Sequence, residues 1–166
     1  MSSDRREPAR LQPLELLRAL REHNVDFLVI GGVAVAAHGY VRGTKAVDII
    51  PEPSRANLER LLAALTTIEA RQDTGDFRLE EMPVQLDLHG LAQGGNWFLA
   101  TRYGRLDLMQ AVEGARSYET LRGGAIVKGG ISYVGLDDLI AMKHAAGRDL
   151  DHVDIRALEE ARGATS

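Results

Sequence analysis

Three aspartates interrupt apolar segments of this 166-residue chain. Asp48 lies among valine and isoleucine residues, whereas Asp87 and Asp107 each lie between two leucines. A carboxylate in such a setting costs several kcal/mol unless it is paired, hydrogen-bonded or bound to a metal ion. For Asp48 alone, a solvent-exposed strand end is the other interpretation, because Pro51 follows closely. Two such acids on neighbouring strands would form an oxygen-ligand site for Mg²⁺, with Asp107 and Asp87 competing for one role.

A glycine pair, Gly31-Gly32, separates a short apolar run from an alanine-rich segment. Backbone N–H groups at such a turn can bind phosphate when a helix follows. A plain turn is the alternative interpretation. The segment matches neither the Walker loop nor the dinucleotide-binding G-x-G-x-x-G pattern, so the glycines alone do not identify a ligand.

Two charged residues lie on the apolar sides of predicted helices near the end of the chain. Lys143 is in line with leucine and isoleucine residues, so it either extends its stem along an apolar surface or reaches into a cleft as a phosphate ligand. Asp154 is the acid on the apolar side of the next helix. Its predicted partners, in a structural ion pair or in a site, are Lys143, Arg148 and Asp151.

Helices and short buried strands must position these residues. Apolar periodicity, glycine turns and Ser54 as a helix cap predict the elements. Helices are expected at 11–23, 33–38, 55–68, 136–146 and 150–161, and strands at 27–30, 47–50, 84–88, 97–101, 105–109, 125–128 and 131–134. The last four strands would form two hairpins, around Tyr103-Gly104 and Gly129-Gly130. The predicted fold is a mixed α/β sheet with a C-terminal helical pair.

Composition excludes several classes of protein. With 45% hydrophobic and 27% charged residues the chain is that of a soluble domain, and its net charge of -4 does not favour a protein held to nucleic acid mainly by net charge. The absence of cysteine excludes disulfides and thiolate zinc sites, and the five histidines lack zinc-binding spacing. No serine lies in a G-x-S-x-G elbow, which disfavours a serine hydrolase. Because no secretory segment or bilayer-spanning run is evident, a cytoplasmic protein without membrane attachment is expected.

Four segments, in this order and spacing, resemble the small nucleotidyltransferases of the DNA polymerase β superfamily, in particular the toxins of toxin–antitoxin systems related to AbiEii and MenT. The segments are FLVIGGVA (27–34), RGTKAVDI (42–49), TRYGRLDL (101–108) and LIAMKHAAGR (139–148), the last followed by Asp151 and Asp154. The resemblance implies a polar tail at 1–10, then a polymerase β-like core at 11–134 with a mixed sheet flanked by helices. A helical segment at 135–162 would complete the site.

Roles for individual residues follow from this resemblance. It implies that Asp48 is the second of two alternating acids and that a third acid lies on a later strand. Asp107 is preferred to Asp87 for that third acid because the Tyr-Gly hairpin leads into it. These acids would bind Mg²⁺. The residues that would bind an NTP are Gly31, Gly32, Arg42, Thr44, Lys143, Arg148 and Asp151. In this set the two glycines and Lys143 would contact phosphate, and Arg148 and Asp151 would support the site.

The chain departs from the family at the first acid. Ala46 stands where an Asp is expected. Strand positions 46 and 48 point to the same face, so acids at both would reach one pair of Mg²⁺ ions that clamps the α-phosphate. A methyl group cannot ligate a metal, so Ala46 is either a deliberate inactivating substitution or a natural change that lost or altered the activity. Nucleotide binding through Gly31, Gly32 and Lys143 would survive either change.

The resemblance predicts a Mg²⁺-dependent toxin that adds nucleotides to tRNA or a nucleoside monophosphate to a protein, with a cognate antitoxin as partner. One alternative is nucleotidylation of an antibiotic such as an aminoglycoside or lincosamide. Another is a catalytically silent module that binds NTP or an antitoxin-like partner. A basic surface that suits tRNA would combine Arg42, Lys45, Arg102 and Arg105, although charged loop residues are usually just solvated.

Overall fold

The computed structural model describes residues 9–73 and 84–164, which form a mixed sheet with helices packed against it. Within this described part the strands are β1 (Phe27–Ile30), β2 (Ala46–Pro51), β3 (Arg71–Gln72), β4 (Asn96–Thr101), β5 (Gly104–Met109), β6 (Ile126–Lys128) and β7 (Ile131–Tyr133). The helices are α1 (Pro13–Glu22), α2 (Gly31–Ala37), α3 (Arg55–Thr67), α4 (Leu88–Ala92), α5 (Tyr118–Gly123), α6 (Leu136–Ala146) and α7 (Asp149–Ala164).

The strands are ordered β3-β4-β5-β2-β1-β7-β6. β1 runs antiparallel to β2, whereas β2 runs parallel to β5. β1 is buried at every residue, whereas β5 alternates between buried and partly exposed residues, so one face of the sheet packs into the core and the other is more open at β2 and β5. Their leucines and isoleucines join those of α1 and α3 in one core. The predicted mixed α/β class is therefore confirmed, including the two C-terminal helices.

Most predicted elements are present, with one clear exception. The segment 84–88 is not a strand, because Asp87 begins helix α4 instead. The Asp87 carboxylate accepts a hydrogen bond from the backbone N–H of Gly90 at 2.7 Å, which is the ordinary contact of an N-cap residue. An acid between two leucines satisfies a strand pattern and a cap pattern equally well. Helix α5 and the two-residue strand β3 were not predicted.

The turn between α6 and α7 brings charged residues together. Gly147 ends α6 with a left-handed φ of 63°, a conformation that glycine adopts without the penalty of a Cβ atom. Helix α7 then packs against α6. As a result Asp151 and Asp154 of α7 face Lys143 of α6.

None of the helices described for 9–73 and 84–164 is long and apolar enough to cross a membrane. Residues 1–8 of the predicted tail lie outside the described residues. The division of the chain into a tail, a core and a C-terminal segment stays a prediction.

Candidate active site

The parallel pairing of β2 with β5 places Asp48 directly opposite Asp107. Residues paired in this way project from the same face of the sheet, so the two carboxylates are neighbours. Ala46 lies two residues before Asp48 on that face and is aligned with Arg105. The structure therefore brings Asp48 and Asp107 together, while Asp87 is engaged in capping α4.

The two acids are poorly compensated. Burial, followed by the neighbouring Asp107 carboxylate, raises the pKa of Asp48 to about 7, although the charges of Lys143 and Arg148 oppose this. Burial also raises the pKa of Asp107. The Oδ1 atom of Asp107 is buried and has no hydrogen-bond partner among the described residues. Two half-buried carboxylates with an unpartnered oxygen therefore hold a proton near neutral pH unless a cation takes its place.

This donor set fits a hard cation such as Mg²⁺, which prefers carboxylate oxygens and retains several waters. Asp48 and Asp107 would be its ligands. Among residues 9–73 and 84–164 no group of three or more Asp, Glu, His or Cys side chains is arranged to hold a metal ion. The residues present therefore fit one ion with two protein ligands, and the methyl group of Ala46 adds none.

Asp48→Asn is expected to stabilise the metal-free chain in a pH-dependent manner. The pKa of Asp48 rises from 3.8 to about 7 on folding, so the folded state holds this proton more tightly than the unfolded chain does. The wild-type chain therefore loses stability as the pH rises from about 4 to 7, by at most about 1.4 kcal/mol per pH unit. The Asp48→Asn variant does not lose stability in this way, because Asn does not ionise.

Thermal unfolding of both proteins between pH 4 and 9 measures this effect. The advantage of Asp48→Asn should grow up to about pH 7 and then stay constant. Saturating Mg²⁺ at pH 8 should reduce it by stabilising only the wild type. A difference in melting temperature that is the same at pH 4.5 and pH 8 would contradict the raised pKa.

The glycine turn, formed by Gly31 and Gly32 as the first two residues of α2, is pressed against β2, the strand that carries Asp48. Gly31 has a φ of 67°, and a Cβ atom there would lie 2.0 Å from Oδ2 of Asp48. At Gly32 a Cβ would lie 2.8 Å from Oγ1 of Thr44. Thr44 in turn donates its hydroxyl hydrogen to the carbonyl of Ala46 at 3.0 Å. The backbone of the turn thus approaches Asp48 as closely as the absence of side chains allows, and a phosphate held by this turn would lie beside the acid pair.

Gly31→Ala is expected to displace Asp48 and to destabilise the chain by about 1–2 kcal/mol, the usual cost of a left-handed conformation for a residue with a Cβ. Gly43→Ala is the matched control, because nothing lies within 4 Å of a Cβ at that position. Denaturant unfolding of the two variants measures the cost. Equal stability of the two variants would contradict the close approach of Gly31 to Asp48.

A buried ion network lies next to this turn. The Lys143 Nζ is 3.2 Å from Oδ1 of Asp151 and 2.9 Å from Oδ2 of Asp154, and all three side chains are almost completely buried. Arg42 donates two hydrogen bonds to Asp154, at 2.7 and 2.8 Å. Arg148 binds Asp151 through Nε at 2.7 Å while most of its own side chain stays exposed. The network joins α6 and α7 to the segment before β2.

The charges in this network are balanced by short contacts. Burial alone would raise the pKa of Asp154, but hydrogen bonds from Arg42 and Lys143 outweigh it and hold the pKa below its usual range. The same competition, with Arg148 and Lys143 as donors, lowers the pKa of Asp151. Both acids are therefore ionised at neutral pH. Lys143 is engaged with them and also acts electrostatically on Asp48.

Two features near the acids were not predicted from the sequence. Phe98 of β4 is paired with Asp107 and is half exposed, so an aromatic ring flanks the acid on the open side. Arg105 is 3.3 Å from Asp73, and the negative charge of Asp73 reduces the contribution of Arg105 to the predicted basic surface. Arg42 is likewise bound to Asp154 rather than displayed to solvent. The four central residues of 96–101 are all apolar, so no alternation of polar and apolar residues in the sequence marks Phe98 as exposed.

Solved structures of known proteins share this fold. The crystal structure of ANT(2")-Ia in complex with adenylyl-2"-tobramycin superimposes with a TM-score of 0.53 at 18% sequence identity, over 91% of this chain and 92% of that chain. The chain has the fold of a nucleotidyltransferase. A solution structure of the antibiotic-resistance factor ANT(2'')-Ia gives a TM-score of 0.47 at 16% identity, over 92% of this chain and 91% of that chain.

No protein-family model and no curated protein matches the sequence. The predicted nucleotidyltransferase fold is thus confirmed by the solved structure of ANT(2")-Ia, whereas the narrower assignment to AbiEii/MenT-like toxins is not. At 18% identity the likeness establishes the fold alone.

Proposed function

We propose that this chain binds a nucleoside triphosphate at the Gly31-Gly32 turn and is built to transfer a nucleoside monophosphate from it to a hydroxyl group. The observation that carries the proposal is the alignment of Asp48 with Asp107, with the glycine turn packed directly against Asp48. A phosphate-binding turn beside a carboxylate pair is what phosphoryl-group chemistry with Mg²⁺ requires.

In the proposed reaction an acceptor oxygen forms a bond to the α-phosphorus, and the bond from that phosphorus to the bridging oxygen breaks. Pyrophosphate leaves with the electron pair of that bond. The hydroxyl proton passes to Asp107, whose pKa is raised by burial. A bound Mg²⁺ would supply the positive charge that neutralises the phosphate oxygens during this exchange.

The basic residues would stabilise the triphosphate. Lys143 and Arg148 act on Asp48 through their charges, so both cations lie near the place where phosphate would lie. Arg148 is anchored by Asp151, yet its side chain is 73% exposed, which leaves guanidinium hydrogens for a ligand. Arg42, held by Asp154, positions the segment that carries Thr44.

A small acceptor is favoured over tRNA. Two of the four cations in the predicted tRNA surface are paired, Arg42 with Asp154 and Arg105 with Asp73. The solved structure with the same fold contains an adenylylated small molecule, and this chain spans 92% of its length. The role as a toxin with an antitoxin stays a prediction, and label found on tRNA or cell protein would support it.

Ala46 favours a second candidate, a module that binds NTP but transfers nothing. With one acid of the alternating pair missing, the chain keeps its phosphate turn and basic residues but loses a ligand. The two candidates share nucleotide binding and differ in turnover.

Nucleotide binding is tested by thermal unfolding of the chain with each of the four NTPs in the presence and absence of Mg²⁺. At least one NTP should raise the melting temperature in a saturable, Mg²⁺-dependent manner. Asp107→Asn should abolish the Mg²⁺ dependence, whereas the exposed Asp137→Asn should retain it. If no NTP stabilises the chain, the proposed function is wrong.

A further inference from the structure

A cavity of about 410 Å³ opens where β2 and β5 end. Ile50 and Met109 form its wall on the sheet, and Tyr118 and Leu121 of α5 close another side. This volume is within the range of sites that bind small molecules. Neither the phosphate turn nor the ion network contributes to it.

The position of the cavity relative to the acids is informative. Ile50 lies two residues beyond Asp48 on β2, and Met109 lies two residues beyond Asp107 on β5, so both project from the same face as the acids. Two residues of strand correspond to about 7 Å. Gly31 follows Ile30, which pairs with Asp48, and β1 runs opposite to β2. The acid pair therefore lies between the phosphate turn and the cavity, where the group in transfer must meet its acceptor.

The lining selects the chemistry of an occupant. Most of its lining residues are aliphatic, and neutral hydrogen-bonding groups are provided by Gln110, Ser117 and Tyr118. Among the described residues its one charged side chain is Arg116, which donates two hydrogen bonds to Asp138 at 2.8 Å each. The described lining contains no carboxylate, and an ammonium group buried there would remain uncompensated at considerable cost.

We propose that this cavity is the acceptor subsite and that the acceptor is an uncharged, hydroxyl-bearing molecule with an apolar ring. The inference rests on the proposed nucleotidyl transfer and narrows its substrate class. The proposed acceptor differs in charge from the molecule in the solved complex of ANT(2")-Ia, which is an adduct of tobramycin, a polycation. An aliphatic wall binds the ring, the neutral polar groups orient the hydroxyls, and the end nearest Asp107 receives the reacting oxygen.

Trp97 provides a direct probe of occupancy. It is the one tryptophan of the chain, and its Nε1 donates a hydrogen bond to Oε1 of Gln110 at 3.1 Å. Because Gln110 lines the cavity, a ligand there changes the surroundings of the indole. Phenyl β-glucoside, which joins an aromatic ring to neutral hydroxyls, is the first titrant, and tobramycin is the second.

The neutral titrant should change Trp97 emission saturably, with a Kd on the order of 1 mM or below for a fragment of this size. Tobramycin should cause no saturable change. Ala92→Phe, which places a ring into the lining from an exposed position, should weaken the response at least tenfold. Ala63→Phe, on an exposed helix position outside the lining, is the matched control and should leave it unchanged.

Two results would overturn the inference: no response to phenyl β-glucoside, or a tobramycin response that Ala92→Phe removes. NTP stabilisation, measured on the same samples, reports on the proposed function separately. If NTP binds and the cavity prefers tobramycin, only the acceptor class is wrong. If the neutral titrant fills the cavity and no NTP binds, nucleotidyl transfer is wrong, and the acceptor assignment fails with it.

Discussion

Ala46→Asp is expected to raise the rate of nucleotidyl transfer by at least about 100-fold, the usual effect of one electrostatic group that acts in the transition state. Position 46 lies on the face of β2 that carries Asp48, two residues away, and is only half buried. A carboxylate there would complete the alternating pair opposite Asp107. The facing Arg105 is already 3.3 Å from Asp73, which limits its competition for the new acid.

The measurement is transfer of label from NTP labelled at the α-phosphate, in the presence of Mg²⁺, to three acceptor pools: small molecules, total tRNA and cell protein. Ala46→Asn is the matched control, since it has the size of Asp without its charge and should stay within about tenfold of the wild type. The double variant with Asp48→Asn should lose the gain. If Ala46→Asp transfers no label to any pool, the chain is not an enzyme of this type.

The acids of the candidate site, Asp48 and Asp107, could be predicted from the sequence because the pattern that marks each of them is local. A charged residue within an apolar strand is unusual enough to be noticed at Asp48 and Asp107, and each strand was correctly placed. Their mutual alignment depends on β2 pairing in parallel with β5, which no local pattern specifies. The resemblance implied only that the third acid lies on a later strand, and the register shows that the two residues are neighbours.

Other parts of the site depend on contacts that sequence patterns do not encode. Asp87 has the same leucine neighbours as Asp107, yet it caps a helix, because the hydrogen bond to Gly90 decides the local conformation. Asp154 was recognised as an acid that needs a partner, but Arg42 lies 112 positions away. The lining of the cavity combines the ends of strands with α5, a helix that was not predicted.

Asp154→Ala is expected to destabilise the chain by about 3–5 kcal/mol, because removal of one member of a buried ion network leaves the others uncompensated. Asp154 is fully buried and binds Arg42 and Lys143, whose side chains are 16% and 7% exposed. Without it the two cations face each other across a buried space. Asp151 remains available only to Lys143 and Arg148.

Urea unfolding of Asp154→Ala and Asp137→Ala would measure this cost against a matched control. Asp137 also pairs with an arginine, Arg162, but its side chain is 90% exposed, so its removal should cost less than about 1 kcal/mol. Asp154→Asn keeps a hydrogen-bond acceptor and should fall between the two. If Asp154→Ala is no less stable than Asp137→Ala, the network does not anchor α7, and Arg42 and Lys143 have no fixed position from which to bind phosphate.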